Sequence, residues 1–313
     1  MRGIQGSLRV SARIQTSRSL KGAFLNVAII GASSFATYTA SANIAGVDLD
    51  FRDRVIYGDD ERVDAALHSN PALRQLALSV AARISKDVLP IQDQLATLPT
   101  STLFQSMGVC STERFAQQKT AAECTGFLVA PDVLVTAGHC MDSQADCEGN
   151  VWAFDYVDGV NTLPASNVYS CKEIINQNLD GIDDFAVIRL DRVVSDRAPL
   201  KLRKEGEVNV GDKMVVIGHP SGLPLKIDDN GPVRDPQLAE HYFVAELDTY
   251  GGNSGSPVFN QTTLEVEGIL VRGEQDYQYE TSLGCSLSKV CAPGTCRGED
   301  VQKIIHVKGI PST

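Results

Sequence analysis

The chain has 313 residues, of which 43% are apolar, and a formal net charge of −11. It reads as an ordinary acidic globular protein, long enough for one two-lobed domain with a sizeable core, and without the basic stripe that nucleic acid requires. All eight cysteines fall between Cys110 and Cys296, an even number that points to disulfides in an oxidising compartment and argues against cytosolic residence.

In chain order, residues 1–21 are basic and free of acids, and residues 22–47 carry no charge. The apolar run Ala23-Phe24-Leu25-Asn26-Val27-Ala28-Ile29-Ile30 and the small-residue site Ala40-Ser41-Ala42 make residues 1–42 a secretory signal peptide cut after Ala42. An uncleaved membrane anchor is the competing reading, and the Ser, Thr and Asn residues after Ile30 weigh against it. Residues 43–100 read as a pro-segment or amino-terminal extension. Within it Asn70-Pro71 offers a helix start, and Leu73, Leu76, Ala77, Val80, Ala81 and Ile84 recur at helical spacing.

Beyond residue 100 the pattern changes to short apolar strands broken by Gly, Pro, Asn and Asp, as in Val151–Phe154, Met214–Ile217 and Val266–Val271. Many such strands argue for an all-β sandwich or barrel. The stretch from Cys124 to Cys140 reads as strand, turn at Pro131-Asp132, strand, a layout in which a Cys124–Cys140 disulfide would clip the hairpin beneath His139. The remaining Cys110, Cys147, Cys171, Cys285, Cys291 and Cys296 allow fifteen pairings. Zinc ligation would favour close Cys/His pairs, which Cys285, Cys291 and Cys296 lack. No metal and no cofactor are expected. Asp228-Asp229-Asn230-Gly231 lacks the spacing and terminal Glu of a calcium loop and reads as a solvated turn. His219, in Ile217-Gly218-His219-Pro220, reads as structural, and His68, His241 and His306 sit in no partner pattern. Asn260-Gln261-Thr262 is a glycosylation sequon.

Three strings carry chemistry: Thr136-Ala137-Gly138-His139-Cys140, Asp184-Phe185-Ala186-Val187-Ile188-Arg189-Leu190 and Gly252-Asn253-Ser254-Gly255-Ser256-Pro257. A serine hydroxyl is a weak nucleophile at neutral pH. It needs an imidazole as general base, and the imidazole needs an acceptor that fixes its tautomer and stabilises its cation. His139, Asp184 and Ser254 can supply these roles, with the amides of Gly252 and Ser254 converging on an oxyanion. Asp183 and Asp180 compete with Asp184 for the acceptor role.

These motifs resemble those of the trypsin-like serine peptidases of the chymotrypsin fold, and the order His, Asp, Ser matches that group rather than subtilisins or α/β-hydrolases. Gly-Asn-Ser-Gly-Ser-Pro-Val is most similar to the bacterial branch containing glutamyl endopeptidases, and the resemblance spans roughly residues 101–275. It implies two six-stranded antiparallel β-barrels over residues 101–313, His139 and Asp184 on the first and Ser254 on the second, with a protein or peptide substrate bound as an added strand in the cleft. It makes the protein a secreted or periplasmic serine endopeptidase without stable membrane association after signal cleavage. The alternative is a catalytically silent or self-processing protease fold that serves as a binding or regulatory module. Arg54-Val55-Ile56-Tyr57-Gly58-Asp59-Asp60-Glu61-Arg62 resembles the mature amino-terminal strings of the glutamyl branch, which suggests processing after Arg54. Trypsin's activating ion pair requires an acid where this chain has Asn253. The family's arrangement puts Asp248 at the base of the substrate pocket, with Thr249, Leu270, Arg272 and Gly273 around it. A buried carboxylate there favours Arg or Lys before the scissile bond, unless Arg272 neutralises it. Leu270 stands where the glutamyl branch carries a histidine.

Overall fold

The computed structural model describes residues 55–311 apart from 238 and 293. The expected signal peptide, residues 1–42, lies outside these residues.

Twelve strands build two closed barrels. The first uses β1 (Val80–Ser85), β2 (Cys124–Ala130), β3 (Val133–Thr136), β4 (Asn150–Phe154), β5 (Val168–Leu179) and β6 (Asp184–Leu190), in the order β5-β6-β3-β2-β1-β4 and closed from β4 back to β5. The second uses β7 (Lys213–Gly218), β8 (Lys226–Asp235), β9 (Tyr242–Ala245), β10 (Pro257–Asn260), β11 (Val266–Arg272) and β12 (Glu299–Lys303), in the order β7-β10-β11-β12-β9-β8, with β7 and β8 paired to close it. Every pairing around both barrels is antiparallel. This is the two-barrel, all-β architecture of the chymotrypsin fold.

The alternation of side chains explains why these strands are apolar almost throughout. Leu128, Leu134, Ala186 and Ile188 point into the first barrel with Trp152 and Phe154. Their neighbours Phe127, Val129, Val133, Val135, Phe185 and Val187 form a second layer with Val215, Ile217, Phe259 and Ile269 of the other barrel. Strands buried on both faces lose the polar half of a period-two pattern. Each fully buried aromatic or branched side chain adds about 1.5–3 kcal/mol by area.

Within the described residues, part of the segment before residue 100 belongs to the first barrel. The boundary expected at residue 101 is incompatible with β1, which sits between β2 and β4 and is needed to close the first barrel. The helical stripe is also only half helix. Pro71–Ala77 is helical, with the Asn70 side chain accepting from the Ala72 amide at 2.9 Å, but Val80–Ser85 is strand. Two neighbouring strands offered Val80–Ser85 a ladder on each side, and tertiary pairing outweighed periodicity.

The chain from Val55 to Asp64 is laid along the second barrel. Ile56-Tyr57 pairs in parallel with Val290-Cys291, and Val63-Asp64 pairs with Lys226-Ile227 of β8. Asp228-Asp229-Asn230-Gly231, expected as a solvated turn, lies inside β8 with Asp228 buried. Disulfides join Cys110 to Cys285, Cys124 to Cys140, Cys147 to Cys171 and Cys291 to Cys296.

Candidate active site

His139 sits in a single 3-10 turn, Gly138–Cys140, that follows β3, and Asp184 is the first residue of β6 beside it. The Asp184 carboxylate grips the turn twice: Oδ2 lies 2.8 Å from His139 Nδ1, and Oδ1 accepts the His139 amide at 3.0 Å. An ionised carboxylate can only accept, so Nδ1 carries the proton and Nε2 of the neutral ring is the basic nitrogen. The Asp184 amide donates to Gln302 Oε1 (3.1 Å) from β12, so the second barrel steadies the aspartate of the first. Gln302 Nε2 donates in turn to Asp183 Oδ1 (3.1 Å) and to His241 O (3.0 Å).

Asp183 faces the other way from Asp184. Its Oδ1 lies 2.7 Å from His241 Nδ1, and His241 stacks on His306 with ring centres 4.1 Å apart. Two histidines without a sequence pattern thus have a structural partner. His68 Nε2 likewise lies 3.3 Å from Asp229. His219 is fully buried, its Nδ1 2.9 Å from Leu223 O and its ring stacked on Tyr156; burial depresses its pKa to about 3, which keeps it neutral. Asn260 of the sequon is also buried, its side chain accepting from the Thr262 and Thr263 amides.

Ser254 reaches the same corner on the turn between Tyr250 and Pro257. Its carbonyl accepts the Thr125 amide at 2.8 Å and lies 3.7 Å from Sγ of Cys140, the residue after His139. The disulfide from Cys140 to Cys124 therefore fastens the histidine turn to the strand that holds the serine. Gly252 has φ +93°, and a Cβ there would lie 2.5 Å from His219 O, so both backbone conformation and space demand glycine.

The residues expected in the substrate pocket divide. Asp248 is engaged by backbone amides of the chain that lies over it. Its Oδ1 accepts the Tyr57 amide (2.7 Å) and its Oδ2 the Glu61 amide (3.0 Å), because the Val55–Asp64 segment covers it. Leu270 is buried in the second barrel with Val216, Phe243 and Val301. Arg272 pairs through Nε with Asp300 at 2.7 Å rather than neutralising Asp248. Thr249 and Gly273 do converge, and the acid they meet is Glu299, which heads β12. Thr249 Oγ1 donates to Glu299 Oε2 at 2.6 Å, and a Cβ on Gly273 would lie 2.0 Å from the same carboxylate oxygen. Glu299 belongs to no motif, and its distance along the chain from Ser254 hid it.

Among the described residues, two clusters have metal-ligand character, Cys124/His139/Cys140 and Glu274/Cys291/Cys296. In each the two sulfurs are joined to one another, so no thiolate is offered.

Residues 124–269 match the family model of the trypsin-like peptidase domain. The chain is a relative of the trypsin-like peptidases. The glutamyl endopeptidase of Staphylococcus aureus strain MW2 is 25% identical over 151 residues, covering 46% of this chain and 45% of that protein. Secreted RxLR effector protein 73 of Plasmopara viticola is 28% identical over 153 residues, covering 44% of this chain and 38% of that protein. The chain thus spans less than half the length of these curated relatives. Among solved structures, a Glu endopeptidase in complex with MPD aligns with a TM-score of 0.45 at 17% identity, covering 80% of this chain and 94% of that one. Vibrio cholerae VesB protease aligns with a TM-score of 0.46 at 14% identity, covering 80% and 65%. Among the described residues, no helix is long and apolar enough to cross a membrane.

Proposed function

We propose that this chain is an exported serine endopeptidase that works through an acyl-enzyme on Ser254. The observation that carries the reading is the double grip of Asp184 on His139, at the corner where the Cys124–Cys140 disulfide and the Thr125 amide hold the Ser254 turn. Ser254 Oγ attacks the scissile carbonyl as its proton passes to His139 Nε2. Asp184 stays ionised and stabilises the imidazolium. The Gly252 and Ser254 amides bind the developing oxyanion. His139 then protonates the leaving amine as the C–N bond breaks. Water enters, loses a proton to His139 and attacks the ester, and the proton returns to Ser254 Oγ as the acid departs. Four disulfides support an oxidising compartment.

For the side chain before the scissile bond, the acid at Thr249 and Gly273 is the specificity element, so Glu299 replaces Asp248 in that role. Its carboxylate repels a glutamate side chain and attracts Arg or Lys, which favours basic substrates although curated relatives are named glutamyl endopeptidases. The test is cleavage of a mixed peptide library, read by mass spectrometry with Ser254→Ala as control. Cuts after Arg or Lys that vanish in the control are expected. Cleavage that persists in a contaminant-free Ser254→Ala preparation overturns the mechanism, and cuts after Glu overturn the pocket assignment alone.

A further inference from the structure

The hydroxyl of Thr125, on β2 of the first barrel, is fully buried and bonded twice to the loops around Ser254. It accepts the His219 amide at 3.1 Å and donates its single proton to Gly252 O at 2.8 Å. The Thr125 amide donates to Ser254 O at 2.8 Å, and the Thr125 carbonyl accepts from Thr136 Oγ1 at 2.7 Å, which ties the residue to β3 just before the histidine turn.

A trans peptide is planar, and its N–H and C=O point in opposite directions, so anchoring one end aims the other. The peptide that carries the Gly252 N–H has Gly251 O at its other end, and that oxygen accepts the Ser221 amide. The peptide that carries the Ser254 N–H has Asn253 O, which accepts the Ser256 amide at 2.9 Å. Between these two lies the Gly252–Asn253 peptide, whose carbonyl is the one Thr125 Oγ1 holds. Gly252 can rotate about both of its backbone bonds more freely than any other residue. The middle peptide's own N–H, on Asn253, donates to Tyr250 O at 3.0 Å within the same turn, and Thr125 Oγ1 adds the tie at its other end from the first barrel. Without the Thr125 hydroxyl the peptide is held at its N–H end alone, by a bond from within the turn, and tilting about that bond changes the angle between the flanking amides.

We infer that Thr125 is a positioning residue that preorganises the two oxyanion-binding amides by fixing the peptide between them. The inference rests on the reading of Gly252 and Ser254 as the oxyanion site. Thr125 touches neither substrate nor reacting atoms; it acts through the main chain, and its effect falls on the transition state rather than on substrate binding.

The experiment compares Thr125→Val, which keeps shape and removes the hydroxyl, with Thr125→Ser, which keeps the hydroxyl and loses a methyl, in the full chain. Measured are kcat and KM on a peptide anilide, affinity for a peptide aldehyde that forms a tetrahedral adduct, and the thermal midpoint. The expected result for Thr125→Val is a fall in kcat of about 10–100-fold, below the loss seen when an oxyanion donor itself is removed. KM stays near wild type, aldehyde affinity weakens in parallel with kcat, and Thr125→Ser restores both. If Thr125→Val does not fold, Thr125→Ala takes its place in the same comparison with Thr125→Ser. Wild-type kcat in the hydroxyl-less variant, or equal losses in the valine and serine variants, overturns the inference and leaves the peptidase reading intact. Activity that survives Ser254→Ala, or a folded wild type that neither turns over peptides nor binds the aldehyde, overturns the peptidase reading and this inference with it.

Discussion

Asp183 and Asp184 are adjacent in the chain, yet their carboxylates serve different barrels: Asp184 holds His139 of the first, whereas Asp183 meets His241 of the second. Asp183 ends the loop and Asp184 begins β6, so neighbouring acids of identical chemistry acquire unrelated partners. Asp184→Asn is expected to lower kcat by about 10⁴-fold, because an amide donor on Nδ1 enforces the wrong tautomer. Asp183→Asn keeps an oxygen for His241 and Gln302 but removes the charge, and it should leave kcat close to wild type. Steady-state kinetics of the two variants side by side checks the assignment, and a large loss in Asp183→Asn would contradict it.

Glu299 and Asp248 make a second pair to be told apart. Glu299→Gln retains the acceptor for Thr249 Oγ1 but removes the charge, and it should reduce kcat/KM for Arg and Lys substrates by about 10²-fold, the effect of truncating one member of a buried charge pair. Asp248→Asn should leave the ranking of substrates unchanged, since its carboxylate is engaged by the Tyr57 and Glu61 amides. Profiling both variants on matched peptides differing only before the scissile bond decides between them.

Asp228 and Asp248 are buried together, with the Asp248 amide donating to Asp228 Oδ2 at 2.9 Å. Burial, and then the Asp248 carboxylate, pushes Asp228 well above the usual carboxylate range. Burial also pushes Asp248 up to about 6, against the opposing pull of the Tyr57 and Glu61 amides. Raised values mean that the folded state keeps protons that the unfolded chain, at its ordinary 3.8, has released. The pair therefore costs stability at neutral and alkaline pH; the Asp248 part of the cost fades as pH falls from about 6 toward 3.8, and the Asp228 part likewise fades as pH falls toward 3.8. His219 works in the opposite sense: held at about 3 against its ordinary 6.5, its contribution is complete above pH 6.5 and is lost progressively down to pH 3. Asp228→Asn keeps an acceptor for the Asp248 amide and should stabilise the fold at pH 8. The gain should be smaller at pH 5. Urea unfolding at both pH values measures the difference, and an equal gain at each would rule out carboxylate repulsion as its source.

Arg62 locks the amino-terminal segment in place. It is buried, pairs through Nε and Nη2 with Asp60 at 2.9 and 2.7 Å, and stacks on Tyr250 with its guanidinium 4.3 Å from the ring centre. Arg62→Ala leaves Asp60 its ion pair with Arg114, at 3.0 Å, and empties the space beside Tyr250, and it should destabilise the fold by about 1–3 kcal/mol. Because Asp248 accepts from the amides of the same segment, protease sensitivity near residues 55–64 should rise with the fall in thermal midpoint. Limited proteolysis followed by mass mapping reads both.

By itself the amino-acid sequence determined whatever local geometry dictates. Gly252 must be glycine because of its φ and its distance from His219, so its motif survives as a string. The histidine turn, the Asp184 strand and the hairpin of Cys124–Ala130 with Val133–Thr136 are likewise local and legible. Tertiary structure alone decided the long-range matters. The run Val80–Ser85 became strand because two neighbouring strands were there to pair with it, although its spacing continued that of the preceding helix. Asp228 became a buried strand residue rather than part of a turn because β8 pairs on both sides. Asp248 took as its partners amides 191 and 187 residues earlier in the chain. Glu299, Gln302 and Thr125 acquired their partners only when distant strands closed the barrels. Motifs record what a backbone segment needs in order to hold its own shape; the partner of a charged or hydroxyl side chain is set by packing among segments far apart in sequence, for which a single string carries no local signal.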